Sequence, residues 1–174
     1  MSDSKYAAAA PYSVTPLDER LAEQLCSWRY EPPFDFYNWS SWAEMKQEGR
    51  EFGDPVIRAM QYAAVLDAGG DFVGFAQFFP LLGVTRLGLG MRPDLCGQGQ
   101  GHSFITAIVQ EARSRAPGDE IDLEVHVWNA RAIKVYKDAG FVITDTYERH
   151  STQGTALVHC MTYEPRDNRT RNDS

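Results

Sequence analysis

Glycine stands at every second place in one short stretch of this chain, at Gly97, Gly99 and Gly101. Upstream, an apolar run from Arg86 to Met91 is stopped by Pro93, and residues 94–97 lead into the glycines. Downstream, Phe104, Ile105, Ile108 and Ala112 recur three or four apart, the spacing of one helical face. The order is strand, glycine loop, helix. Glycine bends the chain tightly and puts no Cβ between the backbone amides and a ligand. The first N–H groups of a helix lack internal partners, and the helix dipole makes that end positive, so an anion such as phosphate fits there. The loop therefore reads as a diphosphate cradle, or more simply as a turn before a core helix. Two nucleotide motifs fit poorly. The dinucleotide fold needs G-x-G-x-x-G where this chain has G-x-G-x-G, and the phosphate-loop motif needs a lysine, of which there is none between Gly83 and Ala116.

A second patterned stretch follows. Ile121, Leu123, Val125 and Val127 alternate with Asp122, Glu124 and His126, a strand with one polar face. Asn129 can cap a following helix, and Gly140 can end it. Tyr136 shares a helical face with Ala132, Ile133 and Ala139, two turns past Asn129 and about 10 Å from it.

The glycine stretch resembles motif A of the GNAT superfamily of acetyl-coenzyme A-dependent N-acetyltransferases, a strand and a proline before Arg/Gln-x-x-Gly-x-Gly/Ala. Cys96, Gly99 and Gly101 occupy those places. Leu123, Glu124 and Val125, then Asn129, Ala132, Tyr136, Gly140 and Phe141, resemble its motif B, and the resemblance covers residues 11–164. It implies an α+β fold: a mixed, mostly antiparallel sheet of about seven strands with a splayed central parallel pair, flanked by about four helices. It implies that Leu89 and Met91 offer backbone to the pantetheine arm. It also implies that Cys96, Gly97, Gln98, Gly99, Gln100, Gly101 and His102 hold the diphosphate, with Asn129 and Ala132 at the cofactor. Gly90 implies a bulge that splays the pair. The departure is Cys96, where the family usually carries a cation; Arg92 is the nearest arginine that could lean over the loop instead.

Transfer to an amine needs a base, donors for the thioester oxygen and an acid for the leaving thiolate. The resemblance implies Tyr136 as the acid and Glu124 as the base, against a core tyrosine and a structural glutamate; a water relay is the other route for the base. Seven aromatics fall within residues 28–42, and Tyr30, Phe34 and Tyr37 are expected to contact the acceptor if that segment is more than a flap over the sheet. The reading is an N-acetyltransferase for a small-molecule amine or a peptide α-amine, with a degenerate coenzyme A-binding module as the alternative.

The remaining chain is consistent with one domain over 11–164, between a loose lead (1–10) and a polar tail (165–174). Short strands are expected from Tyr12 to Pro16, Met60 to Leu66, Phe72 to Phe79, Phe141 to Tyr147 and Thr155 to Tyr163. Helices are expected from Asp18 to about Trp28 and from Ser40 to Glu48, with residues 50–59 irregular. A net charge of −7 argues against nucleic acid and anionic membranes and accords with a cationic acceptor. Three cysteines without metal-ligand spacing suit a reducing cytoplasm, and no metal is expected. The protein is expected to be a monomer or homodimer.

Overall fold

A computed structural model of the protein describes residues 11–165. Strands β1 (Tyr12–Pro16), β2 (Tyr62–Asp67), β3 (Phe72–Leu81), β4 (Val84–Met91), β5 (Glu120–His126), β6 (Phe141–Ser151) and β7 (Gly154–Tyr163) form one sheet in the order β1-β2-β3-β4-β5-β7-β6. The helices are α1 (Glu19–Cys26), α2 (Trp42–Glu48), α3 (Pro55–Gln61), α4 (Gly101–Arg115) and α5 (Ala130–Asp138). Every neighbouring pair of strands is antiparallel except β4 and β5, which α4 connects as a crossover helix. This is the α+β fold expected. The lead, residues 1–10, and all of the tail but Pro165 lie outside the described residues.

Each face of the sheet carries its own core. On one, Leu87, Ile121, Leu123 and Val125 pack with Phe104, Ile105, Ile108 and Ala112 of α4. On the other, Leu21, Ala22 and Leu25 of α1 and Trp42 and Met45 of α2 pack with Phe52, Tyr62, Ala64 and Phe72. The alternation along β5 dictates this. Its apolar residues meet α4, and Asp122, Glu124 and His126 turn to the opposite face.

The caps are those the sequence offers. Asp18 accepts from Leu21 N at 2.8 Å, and Ser41 with Glu44 forms a reciprocal capping box that starts α2. Four expectations are corrected. Residues 50–59 are not irregular: Asp54 accepts from Val56 N (2.7 Å) and Ile57 N (3.0 Å), Pro55 takes the first helical place, and α3 follows. Met60 is consequently helical and exposed, and β2 begins only at Tyr62. The strand expected to end at Phe79 runs on to Leu81, and Pro80 pairs with Thr85 inside a longer hairpin. Gly90 forms no bulge, because β3 and β4 stay in register from Gly74/Met91 to Leu81/Val84. Glycine is needed there for space: a Cβ would lie 2.6 Å from Phe75 Cε1 and 3.3 Å from the Tyr30 hydroxyl.

Candidate active site

β4 and β5 pair from Val84/Glu120 to Leu87/Leu123, and there the pairing ends. Beyond it β4 stays with β3 and β5 stays with β7, so the two strands part. Arg92 N donates to Val73 O of β3 at 2.8 Å. By alternation, the backbone groups of Leu89 and Met91 face the other way, into the gap. An extended chain laid there would bond them as an added strand does. The Tyr30 hydroxyl already donates to Met91 O at 2.5 Å.

The glycine loop closes one end of the gap. Gly97 and Gly99 have φ of 77° and 76°, a region glycine enters without strain. Gln100 stands at the N-cap of α4 without capping it, and its Oε1 accepts from the Tyr12 hydroxyl at 2.9 Å. Phe104 N reaches Gln100 O, which leaves the N–H groups of Gly101, His102 and Ser103 for a ligand. Gln98 Nε2 is turned to Asp94 O (2.9 Å). Gly101 serves packing, since a Cβ there would lie 2.8 Å from Val135 Cγ1 of α5. Cys96 is half-buried, which pushes its thiol up, while Arg131 pulls it down. Arg92 does not lean over the loop. It forks onto Asp94 (2.7 and 3.2 Å) and donates to Phe72 O (3.0 Å). The cation at the loop is Arg131 of α5, whose Nη1 lies 3.3 Å from where a Gly97 Cβ would stand and whose guanidinium sits 5.1 Å over the Phe34 ring. Left-handed glycines, an uncapped helix end, a cation and two parted strand edges fit a diphosphate carrying an amide-bearing arm.

Asn129 caps α5 by accepting from Ala132 N at 3.3 Å and is buried. Two turns on, Tyr136 packs 6.0 Å from the Phe141 ring; burial, then Tyr37, holds its phenol well above the ordinary value. On the polar face of β5, Arg86 forks onto Asp122 with two bonds of 2.9 Å and reaches Glu124 Oε1 at 3.3 Å. Arg149 bonds the same Glu124 oxygen, and the Tyr147 hydroxyl donates to the other at 2.7 Å. Burial and that carboxylate push the Tyr147 phenol up to about 12. Glu124 thus meets three donors.

Residues 28–42 divide between two tasks. Trp28 and Trp42 belong to the core. Phe36 reaches over the end of β5, 3.9 Å from Tyr37, 4.7 Å from His126 and 5.8 Å from Trp128, and Phe34 lies 5.6 Å from Trp128. Asn38 pins the segment by accepting from Tyr30 N at 2.7 Å. Across the same face, Glu51 takes a left-handed φ of 50° and accepts from the Tyr62 hydroxyl (2.5 Å) and Gln77 Nε2 (3.5 Å).

Residues 19–141 match the family model described as the acetyltransferase (GNAT) family. The chain belongs to that family. No curated protein matches the acetyltransferase in sequence. Its fold is shared by solved structures at low identity. A chimera of the spermidine N-acetyltransferase from Vibrio cholerae and hSSAT has a TM-score of 0.69 at 16% identity, over 88% of this chain and 95% of that one. The Vibrio cholerae spermidine N-acetyltransferase in complex with CoA and spermine has a TM-score of 0.65 at 16% identity, over 88% and 95%.

Of the expected positions, Leu89 and Met91 stand on β4 past its last pair with β5, the 96–102 loop runs into the start of α4, Glu124 is on β5, Asn129 caps α5, Ala132 and Tyr136 lie on α5, and Tyr30, Phe34 and Tyr37 lie in the 28–42 segment. Three residues escaped sequence reading. Arg131 lies far along the chain from the loop it serves. His126 was visible on the polar face of its strand, yet nothing in sequence tells a free imidazole from a packed one. Glu51 fell in a stretch read as irregular. Among the described residues no cluster of metal-ligating side chains occurs, and no helix is long and apolar enough to cross a membrane.

Proposed function

We propose that this acetyltransferase moves an acetyl group from acetyl-CoA to a primary amine, of a small molecule or a peptide α-amine, by direct attack with both substrates bound. The observation that carries the reading is the parting of β4 and β5, with the glycine loop at one end and the acid–base groups of β5 and α5 around the opening. Acetyl-CoA supplies the acetyl group as a thioester. The loop amides, the start of α4 and Arg131 would hold its diphosphate, and the backbones of Leu89 and Met91 its arm. Tyr136 protonates the departing sulfur. The acceptor's proton leaves toward the polar face of β5, where Glu124 and His126 stand. Tyr30, Phe34 and Tyr37 border the acceptor's approach. The charge of −7 and the carboxylate of Glu51 favour a cationic acceptor. With three free cysteines, the enzyme belongs in a reducing cytoplasm.

The rival is a coenzyme A-binding module without turnover, which the neutral Cys96 favours. Arg131 weakens that case by restoring a cation to the loop. Release of free thiol from acetyl-CoA, measured with spermidine, a monoamine and a peptide beginning with alanine, tests the choice. Amine-dependent release supports transfer; tight binding of acetyl-CoA with no release from any of them supports the module.

A further inference from the structure

Asp122, Glu124 and His126 share the polar face of β5 and differ in what each leaves free. Asp122 is buried and forked by Arg86. Glu124 meets Arg86, Arg149 and Tyr147, so turning an oxygen to an acceptor would break one of those bonds. His126 is the last residue of β5, past the point where the strands part. His150 and His159 bond threonine hydroxyls, whereas neither ring nitrogen of His126 has a partner among the described residues. Its ring is held by aromatic contacts instead, edge-on to Phe36 at 4.7 Å and stacked with Trp128 at 5.6 Å. An imidazole fixed this way keeps a lone pair for a proton.

We infer that His126 takes the proton of the acceptor amine, and that Glu124 is a positioning residue that holds Arg149 beside it. The inference rests on the acetyl-transfer reading above. Burial, then Arg149, keeps His126 below the ordinary imidazole value of 6.5, so it stands neutral at pH 7 and ready to accept. The charged and titratable groups on its face are Asp122 and Glu124 on its own strand, Arg86 on β4, and Tyr147 and Arg149 on β6. Tyr37 follows Phe36 in the flap, and the β7 partner of His126 is the apolar Val158. The amine arrives as an ammonium. One N–H bond breaks and its proton moves to His126, leaving the lone pair that forms the C–N bond at the thioester carbonyl. The C–S bond then breaks with its electron pair on sulfur. Tyr136 gives sulfur a proton and regains one from the new amide nitrogen. His126 passes its own proton to water, so the sum is an amide, a thiol and one released proton.

Three measurements test this. Nuclear magnetic resonance of the imidazole in the wild-type protein, assigned with His126→Gln, should show titration below 6.5. Thiol release should then be followed from about pH 4.5 to about pH 9 with spermidine and the alanine peptide. The wild type should show an inflection at the measured imidazole value. His126→Gln should lose it and fall about 100-fold in kcat/KM near neutrality, closing part of the gap at alkaline pH where free amine is abundant. Its affinity for coenzyme A by calorimetry should hold within about twofold. Glu124→Gln should keep the inflection, moved to lower pH, since Arg149 loses its partner. A ring titrating at or above the ordinary value overturns the inference, as does a His126→Gln enzyme with the parent's rate and profile. No amine-dependent release from the wild type overturns acetyl transfer itself.

Discussion

In the proposed reaction the Tyr136 hydroxyl acts only when sulfur departs, so Tyr136→Phe should lower kcat by about 100-fold while the dissociation constant for coenzyme A stays within about twofold. Stopped-flow rates beside calorimetric titration would read both. Arg131 has the opposite signature. Its guanidinium overlies Gly97 and a ring rather than a carboxylate. Arg131→Ala should therefore weaken coenzyme A several-fold, about 1 kcal/mol, and raised salt should erode the difference because the site is exposed. Arg92→Ala should leave that affinity alone, since Arg92 is committed to Asp94 and Phe72. Equal losses from the two substitutions would mean the diphosphate lies elsewhere.

At the level of elements, the junction of α4 and α5 sets the site. Gly101 lets the start of α4 lie against Val135. Gly101→Ala should cost about 1–3 kcal/mol by overpacking and lower the melting temperature by several degrees, with weaker coenzyme A binding as the helix end shifts. Calorimetric melting with and without coenzyme A checks both effects. Much of this was legible beforehand, because strand alternation, helical spacing and caps are local. The alternation of Asp122, Glu124 and His126 alone placed them opposite the α4 core. What escaped was non-local or weakly patterned. α3 buries none of its residues completely, so it left no apolar period, and only Asp54-Pro55 marked it. Gly90 read as a bulge because a glycine in a strand has several causes, and the rings that demand it, Tyr30 and Phe75, come from elsewhere in the chain. That Glu124 is held by three donors was not legible, because those partners lie on two other strands, β4 and β6.

Across the whole molecule, the sheet is a frame that fails to close at one place. Six strand pairings hold it, and the single parallel one stops at Leu87/Leu123. On the open face Arg86 and Arg149 pair with Asp122 and Glu124. Such an opening between the glycine loop and an aromatic segment is suited to the proposed thioester on one side and an amine on the other. The measurement that bears on this most directly is mass spectrometry of amine products after incubation with acetyl-CoA. Acetyl transfer predicts an acetylated amine formed in step with free thiol, dependent on enzyme and lost in Tyr136→Phe. Thiol release with no acetylated amine, or no reaction across the amines while acetyl-CoA binds, would contradict it.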